Sequence, residues 1–591
     1  MFKPALVACA AAGYFGSAYA ENHEPDIEHI SIYANRTAST EQQVLASITV
    51  LQRADIVARQ AADLPALLAQ LPGISVARSG GRGQLSSVFI RGGEAKHTLV
   101  LIDGVRSGSA TAGAKSLSML PLELIERIEI IRGPRAAFYG ADAMAGVIAI
   151  STRRSDEVEL NANVGSNGQH GADVSAAYHG EQLKLHASAG AQRADGIDAQ
   201  VNADPDRDGY RQRFVKLAGT YQSEIGEWSA QADVTSGYYQ FDNQWGTEDA
   251  SDTLNRTYLL GWQHSNGHWQ QQLQLSRLLD SDVSFGSTSR SPFQTERDEF
   301  SYQLTMPLTD NVSTISGINW YQEDVAKSAA DYSQSNRRNR AVFAGLTLQQ
   351  SAVNLNMVAR RDLDSQFGGA NTWQLAAGYQ FNPFWLVRIG RAASFKAPSF
   401  NDLYYPGSEN PLLNPERAVE DEVALSFSSE LLALNLAWFD RDVADLLQWG
   451  DGKMENIANA RIKGIESSGE LRFTQINHTL SYTWLDARDA NAQRLIRRPE
   501  HAVHWRGSYQ LDSWSVFVTT DYQSKTRQGP FDAVAQLPAF TLWGAGAQFD
   551  LSSQAVLRFK IDNLTDKQYQ TVAGYNSYGI TGSLSLSYVL P

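Results

Sequence analysis

From residue 153 onward the chain alternates. Leu183, Leu185, Ala187 and Ala189 are separated by Lys184, His186 and Ser188, and Leu432, Leu434, Leu436 and Trp438 by Ala433, Asn435 and Ala437. Leu557, Phe559 and Ile561 alternate with Arg558, Lys560 and Asp562, and Leu584, Leu586 and Tyr588 alternate with serines. Period two predicts β-strands with one apolar and one polar face. A soluble sandwich turns the apolar face inward, whereas a membrane barrel turns it toward lipid around a polar lumen. Stretches such as Asn163–Gly168 and Asp204–Gly209 read as turns between the runs. The apolar stretch Ala5–Phe15 has 11 residues, too few to cross a bilayer as a helix. With Lys3 before it and Ala18-Tyr19-Ala20 after it, residues 1–20 read as a secretory signal cleaved near Ala20.

Composition divides what remains. Residues 21–152 hold four aromatics, Tyr33, Phe89, Phe138 and Tyr139, while residues 153–591 hold all 13 Trp. The jump predicts a boundary near Ser151–Arg154, with a small α/β unit before it and a barrel with aromatic girdles after it. The 439 barrel residues allow about 16 or about 22 strands, since a tilted spanning strand needs only about 9–11 residues. A lumen of about 22 strands can hold a plug, and residues 40–152 have the size for one. The expected fold is thus an all-β transmembrane barrel of about 22 antiparallel strands with a small α/β N-terminal plug in the lumen. The single cysteine is Cys9, so no disulfide staples the exported chain, and closure of the barrel takes that role. A net charge of −14 gives no support to nucleic-acid binding.

The N-terminal unit carries Val88-Phe89-Ile90-Arg91-Gly92-Gly93, Leu99-Val100-Leu101-Ile102-Asp103-Gly104-Val105, Ile125 through Pro134, and Tyr139-Gly140-Ala141-Asp142 through Ile148. Each alone reads as a strand ending in a Gly-rich turn. Arg91, Arg132 and Arg135 could then pair within that unit with Asp103, Glu126 or Glu129. Together and in this order the four segments resemble the plug of TonB-dependent outer-membrane receptors. The barrel agrees in Lys396-Ala397-Pro398-Ser399, Asn410-Pro411-Leu412, Asn456 through Ala460 with Gly464-Ile465-Glu466, and Asp562-Asn563-Leu564-Thr565. Within that family the resemblance runs nearest to the cobalamin receptors, on Gly83-Gln84-Leu85-Ser86-Ser87, the short length and the Asp-rich early loops.

The resemblance implies site residues. Glu28, His29, Ile30, Ser31, Ile32, Tyr33 and Ala34, within the N-terminal segment 21–39, stand where the family has its TonB box. Their alternation favours an extended, unpaired strand that can add to a partner's sheet edge. Leu85, Ser87, Glu94, Ala112 and Gly113 match plug loops where cobalamin rests, and Arg497 and Phe531 match inward-reaching barrel positions. Arg497-Arg498 reads equally well as a rim pair meeting lipopolysaccharide phosphate. Asp198, Asp204, Asp206, Asp208, Asp242 and Asp252 match loop positions that bind calcium. Ca²⁺ takes six to eight oxygens, and crowded carboxylates repel unless a cation neutralises them. Solvated outer loops are acidic too, so the pattern alone leaves both readings open.

The function these readings predict is TonB-dependent import of cobalamin across the Gram-negative outer membrane, the alternative cargo being a ferric siderophore. The expected partners are TonB with its inner-membrane complex, the cargo, and outer-membrane lipid and lipopolysaccharide. Calcium is the expected structural cofactor. No Gly-x4-Gly-Lys-Ser/Thr loop offers ATP hydrolysis, and no catalytic constellation argues for an enzyme. The chain ends Tyr588-Val589-Leu590-Pro591, a departure from the aromatic terminus usual in such barrels.

Overall fold

The computed structural model describes residues 30–590 apart from 32, 38, 41–42, 202–204, 244–247, 451, 530–531 and 533. Glu28, His29, Ile32, Asp204, Phe531 and the signal segment therefore lie outside the described residues. Among those described, 22 antiparallel strands close into one barrel, running from Glu159–Gly165 to Thr581–Val589. Neighbours in sequence are neighbours in the wall, and the first strand pairs with the last, Glu159 facing Val589 and Gly165 facing Ser583. Closure removes every free edge, which suits a medium with no water to satisfy backbone polar groups.

The apolar face points outward. Leu185, Leu217, Leu434, Leu436, Trp438, Phe559, Leu584 and Leu586 are all exposed, at 41–56%. A soluble sandwich would have buried them; a barrel in lipid would not. The strand Asp208–Ser223 shows the rule over its first half. Gln212, Phe214 and Lys216 face the lumen and are buried, while Arg211, Arg213, Val215 and Leu217 face out and are exposed. Connections at one end are short, as at 180–182, 224–225 and 310–311, and at the other end long, as at 397–415 and 563–580. Exposed aromatics flank the short turns, among them Tyr221, Trp228, Tyr379, Trp385, Phe473, Trp514 and Phe549. Short turns and a girdle mark the periplasmic end, so the long loops form the outer mouth. No described helix is long and apolar enough to cross a membrane.

The lumen is filled by the N-terminal unit. Its five-stranded sheet has the order Ile48–Gln52, Ile125–Arg132, Gly146–Thr152, Thr98–Ile102, Val105–Ser107, with the third and fourth parallel. Ile125, Ile128, Ile130, Ile148 and Ile150 are fully buried with Leu64, Leu67 and Leu68 of a short helix, Leu64–Leu68. Asp63 caps that helix by accepting from the Ala66 N–H at 2.9 Å, and it holds Arg78 at 2.7 Å. A two-stranded ribbon, Ile74–Arg78 with Ser86–Ile90, carries the loop 79–85 toward the outer mouth.

The first strand near the start of the described chain differs from the sequence reading. Ile30–Ser31 is extended, but it is paired in antiparallel fashion with Ser39–Thr40 of the same chain. Beyond it the Tyr33 N–H donates to Glu129, the Tyr33 carbonyl accepts from the Tyr139 hydroxyl at 2.7 Å, and Ala34 is fully buried. The expectation of an unpaired segment is thus corrected. The backbone groups of Ile30, Ser31 and Tyr33 find partners within the chain, as buried backbone must.

Candidate cation and ligand site at the outer mouth

Ion pairs fix the plug against one side of the wall. Arg91, fully buried at the end of Ser86–Ile90, donates to Glu420, Glu422 and Glu466 of the barrel and lies over the Phe439 ring at 4.6 Å. Arg132 meets Glu466 at 3.1 Å, and Arg441 of the wall meets Glu420 at 2.6 Å. Arg135 donates to Gln374, also in the wall, at 2.6 Å. Asp103, at the turn after Thr98–Ile102, takes Lys216 at 2.6 Å, and Lys396 takes Asp142 at 2.6 Å. The pairing of Arg91, Arg132 and Arg135 with carboxylates inside the plug is therefore corrected: the carboxylates that Arg91 and Arg132 meet, and the amide that Arg135 meets, are barrel groups. The sequence could not show this, because the partners lie about 240–375 positions away and only closure brings them together.

On the opposite side the contact leaves a cavity. Between plug residues Arg53, Gln60 and Glu123 and wall residues Asn163, Asp173 and Ser585 lies a polar cavity of about 220 Å³. Asn163 Oδ1, Asp173 Oδ1 and Ser175 Oγ on this wall are buried without a protein partner. Buried polar atoms in a space of this size are the usual setting of ordered water.

At the outer mouth, three carboxylates meet. Single oxygens of Asp198, Asp208 and Asp242 lie within 4.8 Å of one another. Asp198 follows the strand Leu183–Ile197, Asp208 begins Asp208–Ser223, and Asp242 follows Gly226–Gln240, so adjacent hairpins deliver them. Asp208 accepts from the Ala199 N–H at 2.8 Å and Asp242 from the Gln200 N–H at 2.7 Å. Asp198 Oδ1 and Gln200 Oε1 are buried acceptors without a hydrogen-bond donor. Burial, then the charges of Asp242, Asp206 and Asp198, push the Asp208 carboxyl up to about 7. Crowded acids with an orphaned acceptor fit a hard cation that takes oxygen ligands.

The surroundings tie this cluster to the plug and to a distant loop. Val201 N–H donates to the Gly574 carbonyl, and Asn576 donates to the Ala199 and Asp198 carbonyls. Gly80 of the plug packs so close to Ala199 that a Cβ there would come within 2.7 Å of the Ala199 Cβ. Gln84 donates to the Gln240 carbonyl. A cation at the three aspartates would therefore order loop 198–207 against plug loop 79–85.

The other residues singled out in the sequence are placed as follows. Asp206 is exposed beside the cluster, and Asp252 is exposed on the outward face of Glu248–Ser265, apart from it. Leu85 is 62% exposed at the tip of the plug ribbon, and Ser87 is half-buried on its strand. Glu94 meets Lys96 at 3.4 Å. Ala112 is exposed. Gly113, with φ of 72°, accepts from Lys396 and abuts Ser399, where a Cβ would meet the Ser399 Cβ at 3.2 Å. Arg497 binds Asp532 at 2.9 Å, while Arg498 donates to the Gly92 carbonyl and lies over Phe89 at 4.3 Å. The rim reading of Arg497-Arg498 is thereby corrected, because Arg498 is buried against the plug.

Two further groups were not foreseen. His97 Nε2 meets Glu416 at 2.9 Å, joining plug to wall near the mouth. The helix Phe400–Tyr404 lies over the plug loop, its Phe400 and Asn401 N–H groups donating to the Ala110 and Thr111 carbonyls. Ser399 and Asp402 form the capping box that starts this helix, and that spacing was readable.

Residues 151–564 match the family described as TonB dependent receptor-like, beta-barrel, and residues 40–147 the TonB-dependent Receptor Plug Domain. The chain is 33% identical over 569 residues to the vitamin B12 transporter BtuB of Photobacterium profundum, covering 92% of this chain and 93% of that one. To the vitamin B12 transporter BtuB of Vibrio vulnificus it is 30% identical over 563 residues, covering 92% and 91%. Among solved structures, the siderophore receptor PirA of Acinetobacter baumannii superposes with a TM-score of 0.78 at 18% identity, covering 92% of this chain and 98% of that one. The ferric enterobactin receptor PfeA gives 0.76 at 17% identity, covering 92% and 99%. Those two likenesses concern the fold alone.

Proposed function

Because the chain belongs to the TonB-dependent receptors, a family of outer-membrane receptors and transporters that work with TonB, we propose that its cargo is cobalamin and that calcium orders its binding loops. The observation that carries this reading is the identity of about a third, over nearly the whole length, to two vitamin B12 transporters. The acid cluster of Asp198, Asp208 and Asp242 supports the calcium part, with the unpartnered Asp198 Oδ1 and Gln200 Oε1 beside it.

The mechanism follows from the plug. Cargo settles on the loops around Leu85, Ser87 and Ala112, with Glu94 and Arg497 flanking them. A cation at the aspartates stiffens that floor before binding, which reduces the ordering cost of association. The energising pull comes through the N-terminal segment, since the sequence holds no Gly-x4-Gly-Lys-Ser/Thr loop to power it with ATP. Local rather than global unfolding of the plug then opens the lumen. The test is cyanocobalamin binding to the purified receptor with calcium in excess and then with chelator. Tight binding that weakens on chelation supports both parts. Binding indifferent to chelation removes the calcium part. No binding by folded protein removes the cargo and leaves the ferric-siderophore alternative.

A further inference from the structure

Some outward-facing arginines on this barrel meet a carboxylate on a neighbouring strand. Arg277 lies 2.9 Å from Asp298, Arg391 3.4 Å from Asp421 and Arg461 2.6 Å from Asp440. Others, such as Arg256, Arg340 and Arg417, meet none among the described residues, and one such group is set apart by its register. Arg193, on Leu183–Ile197, stands directly opposite Arg211, on Asp208–Ser223, and Arg213 is two positions further along the same outward face. All three are exposed, and no ion pair reaches any of them among the described residues. His170 extends the row on the next strand, opposite Arg193. On the other side Arg211 stacks on Tyr238 at 4.6 Å, which fixes the direction of its guanidinium.

Like charges directly opposite each other on a sheet destabilise it. The row therefore calls for an anion from outside the protein. Its height says which. Immediately below Arg213 on the periplasmic side come Val215 and Leu217, 52% and 56% exposed, the start of the lipid-facing band. Two residues of strand rise about 7 Å, so the guanidinium groups stand one headgroup above the outer-leaflet hydrocarbon. The outward carboxylate in register with the row, Asp252, lies beyond Tyr238 and makes no ion pair with it; a free anion has no reason to sit at that height, whereas the phosphates of an anchored glycolipid are held there.

We propose that Arg193, Arg211 and Arg213 form a binding site for the phosphate groups of the phosphorylated glycolipid of the outer leaflet, lipopolysaccharide. The proposal rests on the family's outer-membrane location and not on the identity of the cargo. Guanidinium groups bind phosphate through paired, charge-assisted hydrogen bonds, and two arginines on adjacent strands can grip one phosphate from both sides. The apolar band below accepts the acyl chains. This site lies on the outer wall, away from Arg497 and Arg498, which face the lumen.

The test uses the full-length receptor in detergent. Binding of bisphosphorylated lipid A is compared with that of its dephosphorylated form and of inorganic phosphate. Three variants are carried alongside: Arg193→Ala/Arg211→Ala/Arg213→Ala, the single Arg213→Ala, and Arg461→Ala as a control whose arginine is already paired. Heat-modifiable migration on a gel confirms that each barrel is folded. The expected result is a loss of at least about tenfold in lipid A affinity for the triple variant, an intermediate loss for the single one, and none for Arg461→Ala. Dephosphorylated lipid A should bind the wild type no better than the triple variant does. Equal lipid A affinity in wild type and triple variant overturns the proposal. So does equal affinity for lipid A and inorganic phosphate, which would make the site a simple anion site.

Discussion

Replacing Arg91 with Met offers the sharpest check on how the plug is held. The side chain is fully buried, and three carboxylates converge on it. Glu466 would keep Arg132 at 3.1 Å and Glu420 would keep Arg441 at 2.6 Å, so neither becomes unpaired. Glu422 would lose its closest cation and retain the Ser47 hydroxyl at 3.1 Å. Removing one partner of a buried ion pair costs about 3–5 kcal/mol, chiefly through the charge left behind. That corresponds to roughly 150- to 5,000-fold in the equilibrium between docked and undocked plug, at about 1.4 kcal/mol per tenfold. The backbone strain of φ 48° at this position is common to both residues and cancels. The assay is hydrogen exchange of the plug amides in Ile74–Arg78, Ser86–Ile90 and Ile125–Arg132, with the barrel amides as internal reference. Exchange in these strands should accelerate by about two orders of magnitude or more, while the barrel is unchanged. Plug exchange within about threefold of wild type would refute the reasoning and place the holding energy elsewhere.

Other expectations follow from the same geometry. Lys216→Met, in the wall, leaves Asp103 of the plug without its cation, so exchange in Thr98–Ile102 should rise by an amount equivalent to about 3 kcal/mol. Asp198→Asn and Asp208→Asn should each weaken calcium binding by at least about tenfold in titration calorimetry, and Asp252→Asn should leave it unchanged. With chelator present, ionising Asp208 costs the folded loops, because its carboxyl is raised to about 7. Loop stability is then full below the ordinary carboxylate range and falls as pH rises toward 7. Calcium affinity runs the opposite way, falling by up to about tenfold per unit as pH drops below 7, since a proton and the cation compete for one oxygen. Proteolysis of loop 198–207 and calcium titrations from pH 5 to 8 read both. Gly113→Val should disturb the contact with Ser399 and lower cargo affinity without changing barrel migration on a gel, because φ of 72° and a 3.2 Å approach both oppose a branched side chain.

Local features of the fold were legible because they depend on neighbours in sequence. The alternation in Leu432–Trp438 and Leu584–Tyr588 foretold strands, and the aromatic jump near residue 153 foretold a change of environment. What the alternation could not decide was which face meets lipid. That depends on closure, and the exposure of Leu434 and Leu586 decides it. The site was legible in the same uneven way. Asp198, Asp208 and Asp242 come from hairpins adjacent in sequence, so their spacing was a usable signal. Asp252 has the same composition around it but falls on the outward side of its strand, and a one-residue change of parity separates the cluster from the surface. Lys216, Glu416 and Glu422 carried no local signal. Each is a polar residue on a lumen-facing position, like dozens of others, and only the plug distinguishes them.

The seam between the first and last barrel strands has a consequence for assembly. Glu159 pairs with Val589, roughly 430 positions later, so the loop closed at this seam is nearly the length of the barrel. A chain made from its N-terminus has the plug complete long before that partner exists, and the final ladder cannot form until the last residues arrive. The seam is then the gate through which the plug is enclosed, and the step with the largest closure entropy comes at the end. The polar cavity lies against this same stretch of wall, at Asn163 and Ser585. The side that must zip last is the side where plug and wall leave a cavity between them. Tight interdigitation there would have to form in the same step as the hydrogen-bond ladder. A loosely filled margin lets the ladder register first, and the ion pairs on the far wall can already hold the plug in place while it does.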